Sequence, residues 1–241
     1  MMVKAQAFNT PENFLLAALP AADYQRLKQQ MALVDLSLHQ PIYDLGEPIT
    51  HVYFPIGAII SLVVPLEDGS MMEAGMVGQE GMAGLPALLS GRTNAHRSFV
   101  QIAGQAWRLS TTAVKAEFER GGSFQTVLLR YFQSLFTQVA QTGVCNRFHT
   151  LEERLARWLL LVSDCVQSEA FPLTQEFMAQ MLGVRRAGVT IAAGVLNQAA
   201  LIEYTRGRIH IIDRAGLEDF ACECYRVVRA EFAWLYDAPT P

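Results

Sequence analysis

Arg185 and Arg186 stand side by side in the otherwise apolar run LTQEFMAQMLGVRRAGVTIAAGVL (173–196), and Arg206 and Arg208 flank Gly207 a little downstream. A guanidinium presents a rigid fork of donors that grips a phosphate or binds guanine O6 and N7 bidentately. A core segment excludes charge and a solvated helix face spreads it, so neither explains an adjacent pair here. The chemistry implied is recognition of a polyanion. The whole chain carries a net charge of −4, which by itself argues against nucleic acid. Distribution matters more than the sum: residues 172–214 hold five arginines against three acidic residues, a local excess of +2.

The surrounding residues can position these arginines. Thr174 can cap a helix whose apolar members are Phe177, Met178, Met181 and Leu182. Gly183 supplies the positive φ of a tight turn, Val184 returns to the core, and a second helix begins near Arg185 with Val189, Ala192, Ala193 and Leu196 inward. This is helix–turn–helix spacing, with the arginines at the end of the second helix that enters a major groove. LIEYTRGRIHII then reads as a hairpin tipped by Arg206-Gly207-Arg208, a wing placed to touch the DNA backbone. Expected DNA contacts are Thr174, Gln175, Arg185, Arg186, Gly188, Thr190, Ile191, Arg206 and Arg208.

Upstream the texture differs. Asn9-Thr10-Pro11 resembles a helix start, and 23–34 suggests a second helix. From about residue 36 to 109, short β-branched and aromatic runs alternate with turns such as Glu67-Asp68-Gly69-Ser70, the pattern of a small antiparallel barrel or jelly roll. Thr111-Thr112 suggests the cap of a short helix that Gly121-Gly122 breaks. The long helical stretch beyond carries Phe124, Leu128, Tyr131, Leu135 and Val139 at spacings of three and four. Phe132 and Phe136 widen this stripe, and Gly143 suggests a bend. One apolar face can meet the barrel while another meets a partner helix; the five-residue stripe is read as a homodimer interface, with burial in the chain's own core as the alternative. Thr150 with Glu152 and Glu153 opens another helix, and LEDFACECYRVVRAEFAWL reads as one final helix before an Asp-Ala-Pro-Thr-Pro tail expected to be disordered. The fold class expected is α+β: a sensor barrel over 1–120, a dimerisation helix over 121–149 and a winged helix–turn–helix over 150–241.

Several classes are set aside. No run approaches the ~20 apolar residues of a membrane span, and the N-terminus lacks a signal-peptide core, so a cytoplasmic location without membrane association is expected. Cys145, Cys165, Cys222 and Cys224 read as reduced thiols in that compartment, and Cys222-x-Cys224 lacks zinc-knuckle spacing and has no second pair. A metal or redox site is only weakly signalled, and none is expected. Nucleophile elbows, phosphate loops and paired metal-ligand motifs are missing, so no catalytic residue and no enzyme is expected.

At this point the chain resembles the Crp/Fnr transcription regulators. LGEPITHVYFPIGAI (45–59) looks like the opening of their cyclic-nucleotide-binding-like barrel. LTQEFMAQMLGVRRAGV (173–189) resembles their DNA-binding motif, with Thr174, Gly183, Arg186 and Val189 in matching places. The resemblance implies a homodimer on a palindromic double-stranded DNA site, a possible small-molecule effector in the barrel, and contact with RNA polymerase. It leaves the cofactor unknown. There are departures. Where the family often reads Arg-Glu-Thr-Val-x-Arg, Ala187 replaces the glutamate and Ile191 the second arginine, so Thr190 and Ile191 could meet a thymine methyl instead. The phosphate-holding turn corresponds to GQEGMAGL (78–85), and HRSF (96–99) offers Arg97 slightly out of place. Either Arg97 reaches a phosphate or the pocket takes another ligand, which is the preferred reading. Glu80, Gly81, Met82, His96 and Arg97 are the expected effector contacts. The N-terminal cysteines of the family's iron–sulfur sensors are absent, and no haem-ligand pattern appears. The alternative is a cyclic-nucleotide-binding module acting on a protein partner, against which the paired arginines and the wing both count.

Overall fold

The computed structural model of the chain describes residues 13–89, 94 and 96–237. Asn9-Thr10-Pro11 and the last four residues of the tail lie outside these. The first described helix, α1 (Phe14–Ala17), is capped by Asn13, whose buried amide also donates to Pro55 O and Gly81 O and so ties the helix to the barrel. The helix expected over 23–34 is instead α2 (Ala21–Lys28), and residues from Ala32 already form β1 (Ala32–Leu36). The apolar residues there pair with a sheet edge, and tertiary pairing overrides a helical reading of so short a run.

Seven strands build the sensor domain: β1, β2 (Pro41–Tyr43), β3 (His51–Ile56), β4 (Ile59–Pro65), β5 (Met71–Val77), β6 (Arg97–Ile102) and β7 (Gly104–Ser110), with a short helix α3 (Pro86–Leu89) between β5 and β6. They form two antiparallel sheets, β1-β7-β3 and β2-β6-β4-β5, with buried residues between them. The expected turn at 67–70 joins β4 to β5, with Gly69 at φ 83°. The two-sheet β sandwich agrees with the expected jelly roll.

Helix α4 (Thr111–Glu119) is capped by Ser110 rather than by a threonine. Helix α5 (Ser123–Phe148) then runs unbroken for 26 residues, through Gly143, where a bend had been expected. Helix α6 (Leu151–Val166) opens with a complete capping box between Thr150 and Glu153. Next come β8 (Ala170–Pro172), α7 (Gln175–Leu182), α8 (Arg186–Gln198), β9 (Ile202–Thr205) and β10 (Arg208–Ile211), the last pairing with both β8 and β9. The single final helix is in fact two, α9 (Arg214–Phe220) and α10 (Glu223–Asp237), separated at Ala221-Cys222. Helix α10 returns to lie on α5. Its Leu235 is buried with Phe124, Leu128 and Tyr131, and Phe232 packs on the Tyr131 ring.

The two domains share one core. Ile59, Val63 and Met76 of the barrel pack with Trp158, Leu159, Met178 and Leu182 of the C-terminal domain. Among the described residues no helix is long and apolar enough to cross a membrane.

Candidate DNA-recognition and ligand sites

The C-terminal site is built from capping and packing. Thr174 Oγ1 accepts from Phe177 N at 3.2 Å and starts α7. Gly183 ends it at φ 65°, the left-handed conformation that a side chain resists, and its N–H and that of Val184 close the last turn. Arg154 on α6 donates to Leu182 O at 2.6 Å, which fixes the C-terminal end of α7. Val189, Ala192, Ala193 and Leu196 of α8 are buried, as the apolar spacing predicts.

The opposite face of α8 is open. Arg185 is its N-cap and Arg186 its first residue; both are exposed, and no side chain caps this helix end. Its positive dipole end therefore lies beside two exposed guanidinium-bearing residues. Thr190 and Ile191 share the exposed face, Ile191 at 65%. Thr190 Oγ1 donates to Gln175 Oε1 at 2.8 Å, which joins α7 to α8 at the surface. Gly188 differs: it is half-buried and faces α6, where an added Cβ would lie 3.0 Å from the end of the Leu151 side chain. Arg206 and Gly207 both have positive φ, 49° and 77°, the geometry of a tight primed turn between β9 and β10. Arg206 and Arg208 are exposed at its tip.

Residues 153–220 match the family model of the Crp-like helix-turn-helix domain. The chain carries a Crp-like helix-turn-helix domain, and its overall fold is that of solved Crp/Fnr regulators. The structure resembles FixK2 of Bradyrhizobium japonicum, with a TM-score of 0.69 at 15% identity over 80% of this chain and 98% of that one. It also resembles a CRP-family transcriptional regulator from Thermus thermophilus, with a TM-score of 0.64 at 21% identity over 78% and 96%. A third likeness is to the c-di-GMP-responsive global regulator CLP of Xanthomonas campestris, with a TM-score of 0.62 at 13% identity over 80% and 99%. At these identities the likeness establishes the fold. No curated protein matches the chain.

The Crp-like domain sits against the barrel through β5. Trp158 Nε1 on α6 donates to Glu73 Oε1 at 2.6 Å, and Met72 lies against the Gly183 turn. Burial raises the Glu73 carboxyl to about 7, against the opposing pull of its hydrogen bonds and of Arg157. Phe177 of α7 meets the rings of His39 and Phe99 at 5.9 and 6.2 Å.

In the sensor domain the expected effector residues separate. A cavity of about 340 Å³ opens between the barrel and α5. Met82 and His96 line it with Leu62, Val77, Phe132 and Phe136. Among the described residues, His96 is the only polar side chain on its wall, and burial lowers its pKa, which favours the neutral imidazole. The other three positions point elsewhere. Gly81 is pressed against Tyr131, where a Cβ would come within 2.5 Å of the hydroxyl. Glu80 accepts from Gly78 N at 2.8 Å and borders a different cavity, of about 230 Å³, between α6 and α10. Arg97 is exposed and paired with Asp44 at 2.6 Å. The turn and strand were read correctly as elements, but alternation along β6 sends Arg97 outward.

Helix α5 corrects the interface expectation. Phe124, Leu128 and Tyr131 are almost completely buried within the chain's own core, and Leu135 is half-buried there; a partner cannot reach the first three. Of the five expected interface residues, Val139 alone is exposed, and it stands with Leu129, Phe132 and Phe136, the last 61% exposed. Phe132 and Phe136 stack on each other at 6.4 Å. The periodicity revealed an apolar helix, and only packing could reveal which face the barrel takes.

Proposed function

We propose that this protein is a homodimeric, sequence-specific transcription regulator whose sensor domain answers to an apolar small molecule. The observation that carries the DNA reading is the exposed Arg185–Arg186 pair at the uncapped N-terminal end of α8. Arg186 is the base-reading arginine and Arg185, a residue earlier and about 100° round the helix, a phosphate contact. Thr190 and Ile191 offer methyl groups to thymine, and Arg206 and Arg208 reach the adjacent backbone.

The dimer seam follows Leu129, Phe132, Phe136 and Val139, whose spacing of three and four continues to Gly143 and matches a coiled-coil seam. The two α5 helices would pack there and set two recognition helices on successive turns of one DNA face.

The cavity supports an apolar effector because its described wall offers no cation to a phosphate. Strand β5 supplies a route from ligand to DNA. Ala74 and Val77 line the cavity, while Met72 and Glu73 on the same strand touch the Gly183 turn and Trp158. Equilibrium binding of an environment-sensitive apolar dye, in competition with cyclic AMP, tests the ligand class. Dye binding unaffected by cyclic AMP is expected; cyclic AMP binding at micromolar affinity would contradict the reading.

A further inference from the structure

The break between α9 and α10 has a chemical consequence. It brings Cys222 and Cys224 against Cys145 and His149 at the C-terminal end of α5. One ligand atom from each of the four residues lies within 4.8 Å of all the others. Cys145 Sγ and Cys222 Sγ are 3.5 Å apart, and Cys224 Sγ and His149 Nδ1 are 3.7 Å apart. We propose that these three cysteines and one histidine bind a single zinc ion.

The distances fit. Tetrahedral zinc with bonds of ~2.3 Å to sulfur and ~2.0 Å to nitrogen puts neighbouring sulfurs about 3.8 Å apart and sulfur and nitrogen about 3.6 Å apart. Ligand atoms this close enclose one ion and leave no room for a multi-iron cluster. Four protein ligands fill the coordination sphere, so the site is structural rather than catalytic.

Two features around the ligands point the same way. With Nδ1 facing the sulfurs, His149 turns Nε2 to Glu223 Oε2 at 3.2 Å. A carboxylate accepting from the far nitrogen fixes the tautomer that leaves Nδ1 free to ligate, the usual support of a zinc-bound histidine. The second feature is Arg157, 3% exposed, with its Nε lacking a hydrogen-bond partner among the described residues. Its Nη1 reaches only the Thr142 hydroxyl, at 3.5 Å. Three thiolates and Zn²⁺ sum to one negative charge, which would help Glu73 balance this buried cation.

The ion would join the end of the long helix to the start of α10, at the corner where α5 passes into α6. It would thus hold the C-terminal domain on the sensor through a contact 77 residues apart in sequence. Cysteines at positions 222 and 224 lack a zinc-knuckle spacing because their partners come from another helix.

The test is elemental analysis of the full-length protein, purified untagged and without chelator from zinc-containing medium. About one zinc per chain is expected, falling at least tenfold in Cys145→Ser and in Cys222→Ser. Should those variants fail to fold, cobalt substitution of the wild-type protein decides: Co²⁺ should give the intense visible bands of a tetrahedral thiolate site with thiolate charge transfer in the near ultraviolet. Wild-type protein with less than a tenth of a zinc per chain and no such cobalt spectrum would overturn the proposal. So would a Cys145–Cys222 disulfide as the dominant state in protein prepared under reducing conditions.

Discussion

Helices α8 and α5 are both rich in apolar residues, and both expose some of them, but they come to their surfaces differently. In α8 the buried set Val189, Ala192, Ala193 and Leu196 occupies one stripe, and apart from the half-buried Gly188 and Gly194 the rest is open. In α5 apolar residues serve three surroundings: Phe124, Leu128 and Tyr131 lie in the barrel core, Phe132, Leu135, Phe136 and Val139 line the cavity, and Leu129, Phe132, Phe136 and Val139 are exposed as well. A helix with one stripe declares its face in its sequence. A helix with several needs the rest of the fold to assign them.

The largest expected effect lies on the buried side of α5. Leu128→Ala should cost about 2–5 kcal/mol of stability in denaturant unfolding, the usual range for a large-to-small core change. Phe136→Ala should leave that stability nearly unchanged yet raise the dimer dissociation constant at least tenfold in sedimentation experiments. If Leu128→Ala splits the dimer while stability holds, the two faces of α5 have been exchanged.

Next comes the junction between the regions. The folded-state pKa of Glu73 is raised to about 7 from 4.5, so the folded protein holds a proton that the unfolded chain has released. Its contribution to stability is full below about pH 4.5 and is lost as pH rises through 7. A shift of that size corresponds to about 3 kcal/mol at most across the window. Glu73→Gln, which keeps an acceptor for Trp158, should flatten this part of the stability–pH profile. An unchanged slope would show that another group sets it.

Smaller effects are expected on α8. Arg186→Ala should cost roughly 1–3 kcal/mol per half-site and relax preference at one base pair. Arg185→Ala should weaken cognate and scrambled DNA alike and lower the salt-dependence slope by about one for each phosphate no longer gripped. The reverse pattern in binding titrations would exchange their roles. Smallest of all is Gly188→Ala. Its Cβ meets only the end of the Leu151 side chain, at 3.0 Å, while alanine favours the helix by up to ~1 kcal/mol. DNA affinity and stability should both stay within about 1 kcal/mol; a large drop in affinity alone would return Gly188 to the DNA interface.

The helix–turn–helix was legible because its determinants are local. Thr174, Gly183 and the arginines lie within one short segment, and cap, turn and helix start each follow from residue type. The Arg206-Gly207 turn was legible for the same reason. The β sandwich was legible as a texture but not as a pocket, since the direction of Arg97 depends on strand register. Its Asp44 partner lies 53 residues away. The effector positions Glu80 and Gly81 failed similarly: the turn is real, but Tyr131 and α10 occupy the space beside it. The cysteine–histidine cluster was illegible because it depends on the helix break at Ala221-Cys222, which the apolar periodicity ran straight through.

If α8 reads DNA sequence from each half of a dimer, the bound sites must share a symmetric sequence. Selection of bound duplexes from a random library by the wild-type protein, with Arg186→Ala run in parallel, tests it most directly. Enrichment of a palindrome whose half-sites are centred about one helical turn, ~10 base pairs, apart is expected. Arg186→Ala should lose the preference at one symmetric pair of positions. No enriched sequence from the wild type, with binding that depends on salt but not on sequence, would contradict it.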